Sequence, residues 1–330
     1  MKNYDSQKLT KTTIKRIILV AVLVAVFFTA TMFLLKHFQN KVDKEILINE
    51  KTNESYEEET NLVRYEGKWY KQNPKLETLL LIGVDDVQSD FLLLLAIDQE
   101  AKTYNALQIN RDTMTDVPQL DMYDQEYGSK YQQIALAHTH GNSEIVNCNN
   151  TVKAVSKLLY GVEIDHFICA PMDIVPVAND LVGGVSVFVE DDFLNTDPSI
   201  VQGETVTLMG DQALKFVRAR GEMEDPTNLA RMERQRAYMT SFHRQAIEKA
   251  QQSDDFIFNS LLELNSYITS DCSIYQMADF FDVALSEEGA DILTIKGEAI
   301  KGEEYVEYHV DEKALQKQII DLFFVEDEER

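Results

Sequence analysis

The sequence predicts an α/β protein: an α/β/α sandwich with a central mixed sheet flanked by helices, preceded by one N-terminal transmembrane helix. Three observations carry this reading. Short apolar runs alternate with longer amphipathic runs through residues 62–325, the signature of strands interleaved with helices. Two of the earliest runs are apolar at nearly every position, so both faces of the sheet are covered. Near the N-terminus, residues 17–35 form a run of 19 residues without a charge. As a helix it spans ~28 Å, about one hydrocarbon core.

The elements follow in order. Leu79–Val84, Phe91–Ile97 and Tyr104–Ile109 are apolar runs separated by polar turns, hence strands. Thr151–Tyr160 reads as a helix capped by Asn149 or Asn150, with Gly161 just past its end. His166–Cys169 and Val185–Val189 read as strands, with a helix at Met172–Leu181 between them. Helices fit Asp211–Ala219, Leu229–Ala250, Phe256–Tyr267 and Ser273–Leu285. Strands at Ile292–Ile295 and Tyr305–Val310 and a helix at Glu312–Phe324 close the chain.

The 330 residues carry a net charge of −25, unevenly placed. Residues 1–44 hold eight basic and two acidic groups, a net of +6, which leaves −31 to the rest. Such acidity excludes a general nucleic-acid binder, because phosphate affinity comes mostly from Lys and Arg. Lys8, Lys11, Lys15 and Arg16 precede the apolar span, and Asp43, Glu45 and Glu50 follow it. The span exceeds a signal-peptide core and lacks a clean A-x-A site. The expected organisation is a cytoplasmic tail at 1–16, an anchor at 17–35, a polar linker at 36–61, one external domain at 62–325 and an acidic tail at 326–330. That describes a single-pass protein of the cell membrane. Cys148, Cys169 and Cys272 allow one internal disulfide at most, and spacing does not choose the pair. No C-x-x-C occurs, which argues against structural zinc.

The chemistry is expected at one edge of the sheet. Asp85 ends the first strand and Asp90 precedes the second, a connection short enough to require an antiparallel turn. The third strand then runs back to Asn110-Arg111-Asp112-Thr113, so Asp85, Asp90, Arg111 and Asp112 should meet at one rim. Carboxylates beside an arginine suit a hard divalent cation and an anionic substrate. As a rim carboxylate, Asp90 should add little to packing. The chain has ten arginines, six of them between 218 and 244: Arg218, Arg220, Arg231, Arg234, Arg236 and Arg244. Arginine suits forked recognition of phosphate or carboxylate. Arg231 and Gln235 share one side of their helix, while Met232, Met239 and Phe242 offer a packing face that leaves this polar edge free. Arg236 and Arg244 read better as a solvated face paired with Glu233 and Glu248. His138 and His140 lack a third ligand at metal spacing and read as polar surface. Ser89 has no base nearby in sequence, and no G-x-S-x-G, H-E-x-x-H, G-x-G-x-x-G or P-loop occurs.

These residues carry a resemblance. In order, the chain reads LLLIGVDD, QSD at 88–90, QINRDTMTDVP at 108–118, IALAHTHG at 134–141 and TVKAVSKLLYGVEIDHF at 151–167. NDLVGGVSVFV at 179–189, GDQALKFVRAR at 210–220 and NLARMERQR at 228–236 follow. Together they resemble the LytR-CpsA-Psr family of cell-wall glycopolymer ligases. The resemblance implies a mixed sheet with flanking helices enclosing an apolar pocket for a polyprenyl chain. It implies transfer of a phosphoglycosyl polymer from a polyprenyl-pyrophosphate carrier to a peptidoglycan hydroxyl. By motif, Asp85 and Asp90 would hold Mg²⁺, and Arg111, Arg218, Arg220 and Arg231 would grip phosphates. Gln235 would contact the lipid head region and Asp112 would be the base.

Two positions depart from the family's common pattern. Gln88 stands where many members have arginine, and Asn228 where many have aspartate. The connection between Asp85 and Asp90 is also unusually short. These departures favour a rival reading, a non-catalytic carrier or glycopolymer scaffold, while retained Asp85, Asp90 and Arg111 oppose it. Hydrolysis of the carrier pyrophosphate would need the same residues with water as acceptor.

Overall fold

A computed structural model describes residues 62–285, 291–302 and 305–328. The expected anchor at 17–35, and the tail and linker around it, lie outside the described residues. Among the described residues no helix is long and apolar enough to cross a membrane.

The chain opens with a hairpin of β1 (Leu62–Tyr65) and β2 (Lys68–Gln72). Next come β3 (Leu76–Asp85), β4 (Gln88–Asp98) and β5 (Thr103–Ile109), with β4 antiparallel to β3 and β5 antiparallel to β4. A ribbon of β6 (Met114–Leu120) and β7 (Glu126–Gln133) leads into a 3₁₀ turn at Ile134–Thr139. Then follow α1 (Glu144–Leu158), β8 (His166–Pro171), α2 (Ile174–Leu181), and the antiparallel pair β9 (Val185–Phe188) and β10 (Thr205–Leu208). The helical stretch holds α3 (Asp211–Arg218), α4 (Asn228–Gln252), α5 (Phe256–Leu264) and α6 (Ile274–Ala284), with β11 (Thr269–Ser270) before the last. The chain closes with β12 (Ile292–Thr294), the hairpin of β13 (Gly297–Lys301) and β14 (Val306–Val310), α7 (Glu312–Phe323) and β15 (Phe324–Glu326).

The main sheet has the order β11-β8-β3-β4-β5-β12. β8 pairs with β3 and β12 with β5 in parallel while the other neighbours are antiparallel, so the sheet is mixed as expected. Alternation along β4 divides the core. Leu92, Leu94 and Ala96 face one apolar cluster with Ala154 and Val155 of α1 and Leu315 and Ile319 of α7. Leu93, Leu95 and Ile97 face another, with Leu261 of α5 and Met277, Phe280 and Val283 of α6. With helices on both faces, continuous apolar strands are what the packing requires. A third cluster joins Met172, Val185, Val187, Phe193, Phe216 and Tyr238 beside the sheet.

The largest difference in a helix boundary from the sequence reading is at α1. α1 begins at Glu144 after Ser143, so Asn149 and Asn150 lie inside it and are not caps. Asn150 is buried and donates its amide to the carbonyls of Ala137 (2.8 Å) and Pro118 (3.2 Å), which explains a polar residue there.

Candidate functional site

β3 and β4 are joined by two residues, Asp86-Val87, with Asp86 at φ 59°. Asp85 pairs with Gln88 and Val84 with Ser89, but Gly83 pairs with Phe91. Asp90 is therefore the extra residue of a β-bulge, outside the ladder. A bulge bends its strand and re-aims a side chain. Here it puts Ser89 on the side of the 3₁₀ turn, where its hydroxyl meets the Ala135 carbonyl (3.4 Å). Ser89 is fully buried and bonded there.

Asp90 meets two guanidiniums. Arg231 donates to it at 2.8 Å, and Arg111 donates to its other oxygen. Arg111 also donates to the Gln88 side chain, and its Nε lies 3.6 Å from Asp112. Arg218, at the end of α3, donates to Asp85. Asp85, Asp90, Arg111 and Asp112 thus share one rim, and α3 and α4 bring Arg218 and Arg231 to it. Arg220 donates to the Pro226 carbonyl (3.1 Å), and its charge reaches Arg111, Arg231 and Asp112.

A layer of neutral amides supports these charges. Asn228 accepts from Arg231 Nε (3.0 Å) and Nη2 (2.6 Å), then donates to Asn110 (2.7 Å). Asn110 in turn accepts from the Asp112 backbone N–H (2.9 Å). Gln133 donates to Asp112 (3.0 Å) and to the Val306 carbonyl (2.8 Å). Sequence reasoning passed over Asn110 and Gln133, because a lone amide carries no motif. Gln88 and Asn228 are both wired into the arginine network as acceptors.

Three expectations need correction. Arg231, Arg234 and Gln235 are 5%, 5% and 3% exposed, so the polar edge of α4 is buried, not free. Arg234 is occupied by Asp191 (3.0 Å) and the Ala219 carbonyl. Asp90 is only 8% exposed, so it is a paired interior charge and its loss bears on stability. His138 is 2% exposed and is no surface residue. The three cysteines are all buried free thiols. Arg236 lies 4.0 Å from Glu233, as expected, and also donates to Gln108 (3.4 Å).

Burial sets the proton affinities. Desolvation lowers Arg111, and it brings Arg231 down to about 10, which leaves Arg231 charged at neutral pH. Desolvation raises Asp112 above the ordinary carboxylate range, against the pull of Arg111, Arg220 and Arg231. One Asp112 oxygen, Oδ2, is buried without a hydrogen-bond partner among the described residues.

Below the rim lies a cavity of about 310 Å³ between the sheet and α2, α4 and α5, walled by side chains such as Phe91, Ile168, Val175, Phe242 and Leu261. Gly83, Val217 and Gln235 also line it, and each stands one to four residues from a rim residue: Asp85, Arg218 and Arg231. Gly83 keeps the wall thin: an added Cβ would meet Phe91 Cβ at 3.0 Å and Met172 Sδ at 3.1 Å. Gln235 is held by Gln108 (3.2 Å) and the Val217 carbonyl (3.4 Å), a polar contact point at the junction.

An apolar cavity whose lining comes within one to four residues of a charged, arginine-bearing rim, within an α/β/α sandwich, suits an amphiphile with an anionic head. The comparisons with known proteins agree with that class. The LytR_cpsA_psr family model matches residues 33–322, and the chain belongs to this family. A curated relative is the polyisoprenyl-teichoic acid–peptidoglycan teichoic acid transferase TagU of Halalkalibacterium halodurans, 26% identical over 177 residues. That match covers 52% of this chain, and the chain spans about half (53%) of that relative's length. Among solved structures, TagT bound to LIIa-WTA aligns with a TM-score of 0.60 at 21% identity, covering 76% of this chain and 90% of that one. TagU of B. subtilis aligns with a TM-score of 0.53 at 20% identity, covering 75% and 95%. Lin1025 of Listeria innocua gives 0.52 at 26%, covering 74% and 95%.

Proposed function

We propose that this chain is an extracytoplasmic phosphotransferase. It moves a phosphoglycosyl polymer from a polyprenyl-pyrophosphate carrier to a peptidoglycan hydroxyl. The observation that carries the proposal is the junction of apolar cavity and arginine rim at Gln235. A prenyl chain fits the cavity, and its pyrophosphate then meets Arg111, Arg218, Arg220 and Arg231. The TagU relative's name as a teichoic acid transferase supports a glycopolymer donor.

Transfer forms a bond between the acceptor oxygen and the glycan-bearing phosphorus. The diphosphate bridge breaks and prenyl monophosphate leaves. The hydroxyl proton passes to Asp112, whose unpartnered Oδ2 and raised proton affinity suit a base. Arg111 and Arg231 are fixed before substrate arrives, so little reorganisation accompanies charge development.

Four guanidiniums face Asp85, Asp90 and Asp112, which leaves the rim only one positive charge ahead. A pyrophosphate therefore calls for a further cation. Asp85 and Asp90 fit Mg²⁺, which takes one or two carboxylates plus substrate phosphate oxygens. Each carboxylate oxygen keeps a lone pair beyond its arginine contact. Mg²⁺ held there would neutralise phosphate charge. The anchor expected at residues 17–35 would keep the domain at the outer membrane face, next to a lipid-borne donor.

The test incubates the full chain in detergent with a polyprenyl-pyrophosphate oligosaccharide, Mg²⁺ and a peptidoglycan oligomer, and reads a linked product by mass spectrometry. Arg218→Ala, at a half-exposed position, is expected to lose most transfer and keep its fold. Phosphate release without linkage would mean hydrolysis. Tight carrier binding without turnover would support the scaffold reading, which the mutual pairing of rim carboxylates and arginines favours.

A further inference from the structure

Apart from the rim, the fold gathers a second set of ligating side chains. His138 comes from the 3₁₀ turn, Glu144 and Cys148 from α1, and Cys169 from β8. Glu144 and Cys148 stand four residues apart, on one face of the helix. One ligand atom from each of the four lies within 4.8 Å of all the others. We infer that His138, Glu144, Cys148 and Cys169 form a structural binding site for a thiophilic divalent cation, zinc in the first instance.

Four features support the assignment. Thiolate, imidazole and carboxylate are each zinc ligands, and four of them match the tetrahedral number of a closed site. Bonds of ~2.0–2.3 Å place such ligands roughly 3.3–3.8 Å apart, comparable with the 3.1 Å and 3.5 Å from the Glu144 oxygen to His138 Nε2 and Cys169 Sγ. Burial is nearly complete for His138, Cys148 and Cys169, while Glu144 is half-exposed and leaves an entry path.

The fourth feature is the direction of the imidazole. The Thr151 hydroxyl donates to the Asn147 carbonyl at 2.9 Å and lies 3.4 Å from His138 Nδ1, an outer contact to the ring nitrogen that faces away from Glu144. Nε2 faces the Glu144 carboxylate at 3.1 Å, with Cys169 Sγ 3.5 Å from the same oxygen, so three of the four ligand groups already converge on one point. A cation bound there would replace the protons that hold Nε2 and Sγ to that carboxylate. An outer partner that fixes the histidine tautomer is usual at metal sites. The pattern was hidden in sequence because the ligands sit on three elements without a C-x-x-C.

The site has a place in the architecture. Ala135, in the same 3₁₀ turn as His138, donates its N–H to the Arg111 carbonyl (3.1 Å), and Ile134 donates to Thr113 (2.8 Å). A bound metal would pin that turn to α1 and β8, and so back the segment that carries Arg111 and Asp112. Binding would release the protons of both thiols.

The test uses the full chain in detergent, kept reduced and never exposed to chelator. Metal analysis is expected to find one zinc per chain. Replacement with Co²⁺ should give a thiolate-to-cobalt charge-transfer band and the strong visible bands of four-coordinate cobalt. Cys148→Ser and Cys169→Ser should each weaken zinc binding more than roughly a hundredfold, beyond the effect of losing an outer partner, while Cys272→Ser retains the metal. Chelation of the wild-type chain should lower its Tm, and zinc should restore it, a readout that survives if a variant fails to fold. The inference is overturned by a reduced wild-type chain that holds no metal and shows no thiolate band. A native Cys148–Cys169 disulfide, or metal lost in Cys272→Ser alone, would overturn it equally.

Discussion

At the scale of single residues, the rim is a matter of which charge faces which. Asp90 accepts from Arg111 and Arg231 while nearly buried. Removing one partner from a buried pair leaves uncompensated charge, which costs about 3–5 kcal/mol. Asp90→Asn should therefore lose transfer and also about 3 kcal/mol of stability, the lower end because the amide oxygen still accepts. Urea unfolding checks this, and an unchanged midpoint would refute it. Asp112 makes the opposite demand on pH. Burial raises its pKa, and only the ionised carboxylate accepts a proton, so transfer should fall as pH drops through that raised value. The acid limb should lie above the ordinary Asp value of about 3.9 and vanish in Asp112→Asn, as a pH–rate profile would reveal. Asp85, Asp90, Arg111 and Asp112 were legible in the sequence because turns and strand directions bring them together, whereas Arg218, Arg220 and Arg231 were tied to them only by the family resemblance. Asn110 and Gln133 were not legible, since neutral amides have no spacing rule.

At the scale of elements, a register shift does the positioning. The bulge at Asp90 puts two acids and Gln88 within five residues of a two-residue turn. Apolar runs revealed β3, β4 and β5, but a run of hydrophobic letters does not record a bulge. The β6–β7 ribbon was also invisible: Pro118 interrupts one strand, and the other reads EYGSKYQQ, exposed over most of its length. Its pairing is decided by partners, not by pattern. The start of α1 was misplaced because Asn150 resembles a cap in sequence, whereas its amide serves two carbonyls across the fold. The cavity gives a prediction at this scale. Ala178 of α2 lines it, and Ala178→Leu would fill part of the space without touching the rim. Affinity for a long prenyl pyrophosphate should fall about tenfold, or ~1.4 kcal/mol, with little change for a short-chain analogue. Equal loss for both would contradict a chain-binding cavity.

At the scale of the whole molecule, charge works in two directions. Residues beyond 44 carry −31, a field that repels an anionic donor, while the arginines form a local exception. Raising salt from about 0.01 to about 0.1 M shortens the screening length from ~30 to ~10 Å. Association of a soluble prenyl pyrophosphate should therefore accelerate, while the pairing of buried Arg231 is screened less. Stopped-flow binding would detect the acceleration, and slowing with salt would mean that the arginines dominate the long-range field.

The central claim is that one site joins an apolar cavity to a pyrophosphate clamp. The most direct measurement is the equilibrium affinity of the full chain for polyprenyl pyrophosphate, beside polyprenol and inorganic pyrophosphate, in wild type and Arg218→Ala. The joined site predicts that the lipid pyrophosphate binds far more tightly than either half, and that Arg218→Ala removes much of this advantage. Equal affinity for polyprenol and its pyrophosphate, unchanged by the substitution, would contradict it.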